Sequence, residues 1–136
     1  MRKAILVVSA LAVSMVVAGW IAVNPGGRFG MSTQMLTTYN RLPLPLVDMQ
    51  VRSDGAMRVV EKVHKIGADQ LVWLATPEPA VLIMAGGWQG DARVAGQLEG
   101  LKRTKVLTLR TGEALALFNS LREQGVHVAI HVHSTC

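Results

Sequence analysis

"VLIMAGGWQG", residues 81–90, decides the fold class. Val81 to Ala85 carries no polar side chain, so as a strand it has no face to give to water and suits a sheet covered on both sides. Three glycines and a tryptophan follow at once. A buried strand that runs into a glycine loop is a building element of α/β layers, and open α/β sheets form their crevice at the carboxyl ends of such strands.

The rhythm downstream supports this. Val106-Leu107-Thr108-Leu109 reads as the next strand, and Thr111 as an N-cap with Glu113 in the first helical turn. Leu115, Leu117, Phe118 and Leu121 form an apolar stripe at helical spacing, which Gly125 closes as the C′ residue. Val126 to Val132 is a final strand, and a short, weakly helical stretch is expected around Asp91 to Leu98. Upstream, Val47, Met49 and Val51 alternate with Asp48, Gln50 and Arg52, the period of a half-buried strand. Asp54-Gly55 then predicts a hairpin turn into a second strand over Ala56 to Val63. Leu71 to Leu74 is read as a third short strand, ended by Pro77 and Pro79. The sum is an α/β layer entered through an antiparallel hairpin.

Ahead of this domain the chain has another character. After Arg2 and Lys3, residues 4–23 hold no charge. As a helix they span about 30 Å, the thickness of a bilayer's hydrocarbon core. The segment is read as an uncleaved membrane anchor, with a cleaved signal and a buried helix as the competing readings. With Arg2 and Lys3 held in the cytoplasm, the remaining chain lies on the extracytoplasmic side. Residues 24–45, rich in Gly and Pro, are read as a tether, although Met31, Met35, Leu36 and Tyr39 are not linker-like. The expected organisation is therefore an anchor or signal segment over 1–23, a tether over 24–45 and an α/β domain over 46–136.

Charge and cysteine content narrow the function classes. The net charge of +5 falls to +3 beyond residue 23, where 12 Lys/Arg face 9 Asp/Glu. The one dense basic patch, Lys102 to Lys105, has no aromatic residue among its cations, so a nucleic-acid partner is not expected. A single cysteine, Cys136, excludes an internal disulfide.

Two places carry candidate chemistry. The glycine loop fits G-G-x-x-G and matches neither the dinucleotide pattern nor a P-loop. With the Thr111-Gly112 turn it could form a crevice of Gly86, Gly87, Trp88, Gln89, Gly90, Thr111 and Gly112, where free N–H groups at a helix start favour an anion. The competing reading is a tight turn with Trp88 capping the core. At the other end, "GVHVAIHVHSTC" sets His127, Ala129, His131 and His133 on one strand face, with Cys136 close by. Imidazole and thiolate suit zinc or copper. A strand end with polar residues toward solvent gives the same pattern. No catalytic constellation stands out, and no cofactor is implied.

"PAVLIMAGGWQG" (79–90) and "KVLTLRTGEALALFNSLREQGVHVAI" (105–130) resemble the small α/β domain family that includes mitochondrial complex I assembly factor three and the adipogenesis-associated domain protein. The resemblance covers roughly residues 46–132 and rests on the strand and glycine loop, the Thr111-Gly112 turn, Asn119 on the helix and the last strand. It implies a three-layer α/β fold with a mixed sheet, no established catalytic residues, and a role in assembling a membrane complex through protein contacts. The expectation is thus a membrane-tethered, non-enzymatic binding or assembly domain with a protein partner at the membrane. The alternatives are a small ligand in the Gly86–Gly90/Thr111 crevice and a metal held by His131, His133 and Cys136.

Overall fold

The computed structural model describes residues 1–63, 65–90, 93–94 and 101–134. In chain order its elements are α1 (Arg2–Val23), β1 (Phe29–Thr33), β2 (Leu36–Tyr39), β3 (Leu42–Pro45), β4 (Asp48–Val51), β5 (Met57–Val60), β6 (Lys65–Ile66) and α2 (Ala68–Leu71). There follow β7 (Val81–Ala85), β8 (Arg93–Val94), β9 (Lys105–Leu109), α3 (Thr111–Glu123) and β10 (Val128–Val132).

Five strands form a mixed sheet in the order β5-β4-β10-β7-β9. β7, β9 and β10 run parallel, and the β4–β5 hairpin adds antiparallel to β10. The turn expected at Asp54-Gly55 joins that hairpin, with Gly55 at a φ of 89° and Arg52 and Ala56 closing it. Strand β7 occupies the residues read from its apolar run.

The sheet is buried on both faces, which gives the α/β fold its layers. On one face Met49, Val51, Ile83, Ala85, Val128, Ile130 and Val132 pack against Ala114, Leu115 and Phe118 of α3. On the other, Leu82, Met84 and Ala129 meet Ile66, Leu71 and Leu74 from the segment around α2. The expected stripe on α3 faces the first core, with Leu117 and Leu121 at its margin. Gly125, at φ 75°, ends the helix: its N–H reaches the Arg122 carbonyl, and the Val126 N–H reaches that of Leu121. This is the double bond pattern of a glycine C′ cap.

Four expectations are corrected. Residues 29–45 are not a tether but a three-stranded antiparallel sheet, β1-β2-β3, whose Phe29 and Tyr39 lie in the first core. Their rings lie 4.9 Å apart and meet Phe118 edge-on at centroid distances of 5.1 and 6.3 Å. Leu71 to Leu74 is not a strand; α2 and a turn place Leu71 and Leu74, three apart, in the second core. Strand β4 is buried along its whole length rather than on alternate residues. Of the stretch expected to be helical, Arg93–Val94 is a strand paired with β6, and the rest lies outside the described residues.

Candidate functional site

The glycine loop turns tightly. Gly87 and Gly90 adopt φ of 91° and 82°, a left-handed conformation that favours glycine. The loop is braced by backbone hydrogen bonds: the Gly86 N–H donates to the Leu109 carbonyl (2.9 Å) and that of Gly90 to Gly87 (3.2 Å), while the buried Trp88 Nε1 has no partner among the described residues. The Gly87 carbonyl also accepts the Thr111 N–H at 3.0 Å, so the loop itself satisfies the first free amide of α3. Trp88 lies so close to Gly112 that a Cβ there would sit 3.1 Å from the indole ring. Thr111 is not the N-cap; Arg110 is, and the buried Thr111 hydroxyl donates instead to the His133 carbonyl (2.9 Å).

The residues expected to form one crevice are therefore divided. Gly86, Gln89 and Gly90 line an open depression of about 340 Å³ with Thr108, Leu109, Arg110 and Glu113. Gly87, Trp88, Thr111 and Gly112 do not line it; they hold the loop to the start of α3 through the Thr111–Gly87 hydrogen bond and the Trp88–Gly112 contact.

A second arrangement lies inside the sheet. His131 and His133 do share a strand face, but that face is buried, not solvated. The antiparallel register sets Gln50 opposite His131 and Arg58 opposite Gln50. Arg58 Nε donates to Gln50 Oε1 (2.9 Å), which orients the amide so that Gln50 Nε2 faces His131 Nδ1 (3.0 Å) and the Gln70 carbonyl (2.9 Å). Nδ1 of His131 then accepts, and the ring proton resides on Nε2. That Nε2 is buried, with no hydrogen-bond partner among the described residues. Burial pushes the His131 pKa down to about 4, His133 and Arg58 add to the fall, and the Asp48 charge opposes it. His131 is thus a neutral, buried donor at pH 7.

One step along, His133 Nδ1 meets Asp48 Oδ2 at 2.6 Å, while Ser134 offers its N–H (3.0 Å) and hydroxyl (3.3 Å) to Asp48 Oδ1. Asp, His and Ser are in contact, yet the hydroxyl bonds to the carboxylate rather than activating on the imidazole. The trio lacks the geometry of a nucleophilic triad. Cys136 lies outside the described residues, and among those described no group of three His, Cys, Asp or Glu is placed to hold a metal.

The alternation along β4 predicts a solvent face for Asp48 and Gln50, and both are buried. The alternation was visible; what covers the second face, and the register that brings them onto the histidines, was not.

The third feature is the junction of α1 with the domain. None of α1 is buried, and its composition and length suffice to cross a membrane. Its end is clamped. Asn24 donates from its side chain to the Trp20 carbonyl (3.1 Å) and accepts the Met31 N–H (2.9 Å). Trp20 Nε1 donates to the Arg41 carbonyl in the β2–β3 turn (3.1 Å). Farther in, Arg28 pairs with Glu123 of α3, and Asn119 holds the backbone of Phe29.

The fold is similar to that of MT938, with a TM-score of 0.70 and 23% identity over 80% of this chain and 98% of that one. It is also similar to the conserved hypothetical protein PH1505 from Pyrococcus horikoshii, at TM-score 0.69 and 19% identity over 80% and 99% of the two chains. XCC1710 from Xanthomonas campestris aligns at TM-score 0.55 and 14% identity, over 78% and 83%. At these identities the likeness concerns the fold alone. No family model and no curated protein matches the chain.

Proposed function

We propose that the chain is a membrane-anchored binding or assembly domain that works through a protein partner beside the bilayer, with its folded part on the extracytoplasmic side. The junction carries this reading. A flexible linker would let a soluble domain roam; here Trp20, Asn24 and the three-stranded sheet fix the domain to the end of an unburied apolar helix. A fixed height and orientation serve recognition of another membrane protein. The family resemblance to complex I assembly factor three and its relatives, proposed here as distant kinship, points the same way. The buried Asp48–His133–Ser134 trio, with its hydroxyl turned to the carboxylate, favours binding over turnover. The test is affinity purification of the full-length protein from gently solubilised native membranes, beside a chain lacking residues 4–23. A stoichiometric membrane partner that is lost on deletion supports the reading; the same partners recovered by both chains would overturn it.

A small anionic ligand in the Gly86–Gln89–Gly90 depression is the second reading, and Arg110 on its rim favours it. Glu113, on the same rim, opposes an anion.

A further inference from the structure

We propose that the Asn40–Arg41 turn is a lipid contact: it sits in the headgroup layer, where Arg41 takes a lipid phosphate and Leu42 enters the acyl boundary. This rests on α1 spanning a bilayer.

Depth follows from one hydrogen bond. Trp20 Nε1 donates to the Arg41 carbonyl at 3.1 Å, so the turn lies beside the last turn of α1 rather than beyond it. Trp20 stands three residues before the helix end at Val23, about 4.5 Å along the axis. The polar layer of a bilayer is about 5–8 Å thick on each side. A helix that ends at the surface therefore carries the turn into that layer, at the level where tryptophan concentrates.

The turn cannot swing away. Asn40 and Arg41 both hold left-handed φ, 49° and 69°. The Asn40 N–H donates to the Arg28 carbonyl (3.0 Å), and Asn40 Oδ1 accepts the Gly27 N–H (2.8 Å). The junction thus ties the helix exit and the turn into one block.

Chemistry selects the occupant. Residues 40–43 are all exposed, with Leu42 at 52%. Arg28 is neutralised by Glu123, but no carboxylate pairs with Arg41 among the described residues. Its guanidinium lies toward Gly26 at the helix exit, where a Cβ would be 3.8 Å from it. An unpaired guanidinium beside an exposed leucine, both next to an interfacial tryptophan, matches a phosphate above an acyl chain.

The experiment uses the full chain carrying Cys136→Ser, reconstituted into vesicles of phosphatidylcholine with phosphatidylglycerol. A nitroxide is placed by Leu11→Cys, Leu42→Cys or Val72→Cys, and its access to an aqueous nickel complex and to oxygen is measured. Val72 is exposed beyond the far face of the large sheet and serves as the aqueous reference. The expected result is a Leu11 label in hydrocarbon, a Leu42 label shielded from nickel relative to Val72, and loss of that shielding with Arg41→Glu. A shielded Leu11 label with a Leu42 label as open as that at Val72 overturns the lipid contact and leaves the membrane span standing. A Leu11 label open to nickel overturns both. Shielding at Leu42 that survives Arg41→Glu overturns the phosphate contact.

Discussion

Asn119 grips Phe29 at both backbone polar atoms: its Nδ2 donates to the Phe29 carbonyl at 2.7 Å, and its Oδ1 accepts the Phe29 N–H at 2.8 Å. One side chain of α3 thereby supplies the pairing that β1 lacks on that edge. Asn119→Ala leaves a part-buried donor and acceptor unsatisfied and is expected to cost about 1–3 kcal/mol. Asn119→Asp keeps only the acceptor and should fall between. Denaturant unfolding measures the loss, and hydrogen exchange should quicken at 28–39 before the large sheet responds.

The clamp at the helix exit is equally specific. A Cβ on Gly30 would lie 2.2 Å from Asn24 Oδ1 and 2.8 Å from its Cα, so backbone must move. Gly30→Ala is expected to destabilise by about 1–3 kcal/mol and to unfasten α1 from the sheet. Spin-label distances between α1 and α3 should broaden in the variant while far-UV dichroism holds. An unchanged distribution would refute a rigid junction.

His131 makes stability depend on pH in a stated direction. Its pKa is about 4 when folded against 6.5 ordinarily, so between these values the unfolded chain binds a proton that the folded one refuses. The stability it contributes is complete above pH 6.5 and declines as pH falls toward 4, by up to about 1.4 kcal/mol per unit. His131→Gln should flatten the profile of unfolding free energy over that window, relative to the unmodified protein, whatever it does to the absolute value.

The glycine loop separates a structural from a binding residue. Gly87→Ala forces a side chain onto a φ of 91° and should lower stability by about 1–2 kcal/mol with or without ligand. Gln89 and Arg110 are exposed, so Gln89→Ala and Arg110→Ala should leave the melting temperature nearly unchanged. If inorganic phosphate stabilises the protein, Arg110→Ala should abolish that gain. A gain that persists would place the anion elsewhere.

The sequence made the parallel half legible because its signals are local. Five apolar residues bounded by prolines and glycines suit a doubly covered strand, and Gly125 after an apolar helical stripe suits a helix end. The missed parts depend on partners distant in the chain. β3 is Leu-Pro-Leu-Pro, a pattern that reads as linker; as the edge of a small sheet it can leave its proline nitrogens unpaired. The turn before it uses Asn40 and Arg41 at positive φ instead of Asn-Gly, so the usual hairpin signal is missing. Leu71 to Leu74 is too short for periodicity to separate strand from helix. The histidine face was located correctly and misjudged in exposure, since nothing near Val128–Val132 tells that α2 will cover it. Of the crevice, the sequence identified the loop; it could not show that α3 would consume the loop's carbonyl.

Strand β10 lies at the middle of the large sheet, hydrogen-bonded to β4 on one side and β7 on the other, and it follows every other described strand in the chain. Until it emerges, the hairpin and the parallel pair β7–β9 have no strand to join them into one sheet. α1 precedes every described strand in the chain. On the anchored reading proposed above, insertion machinery meets α1 while the large sheet is still open, so folding follows delivery rather than competing with it.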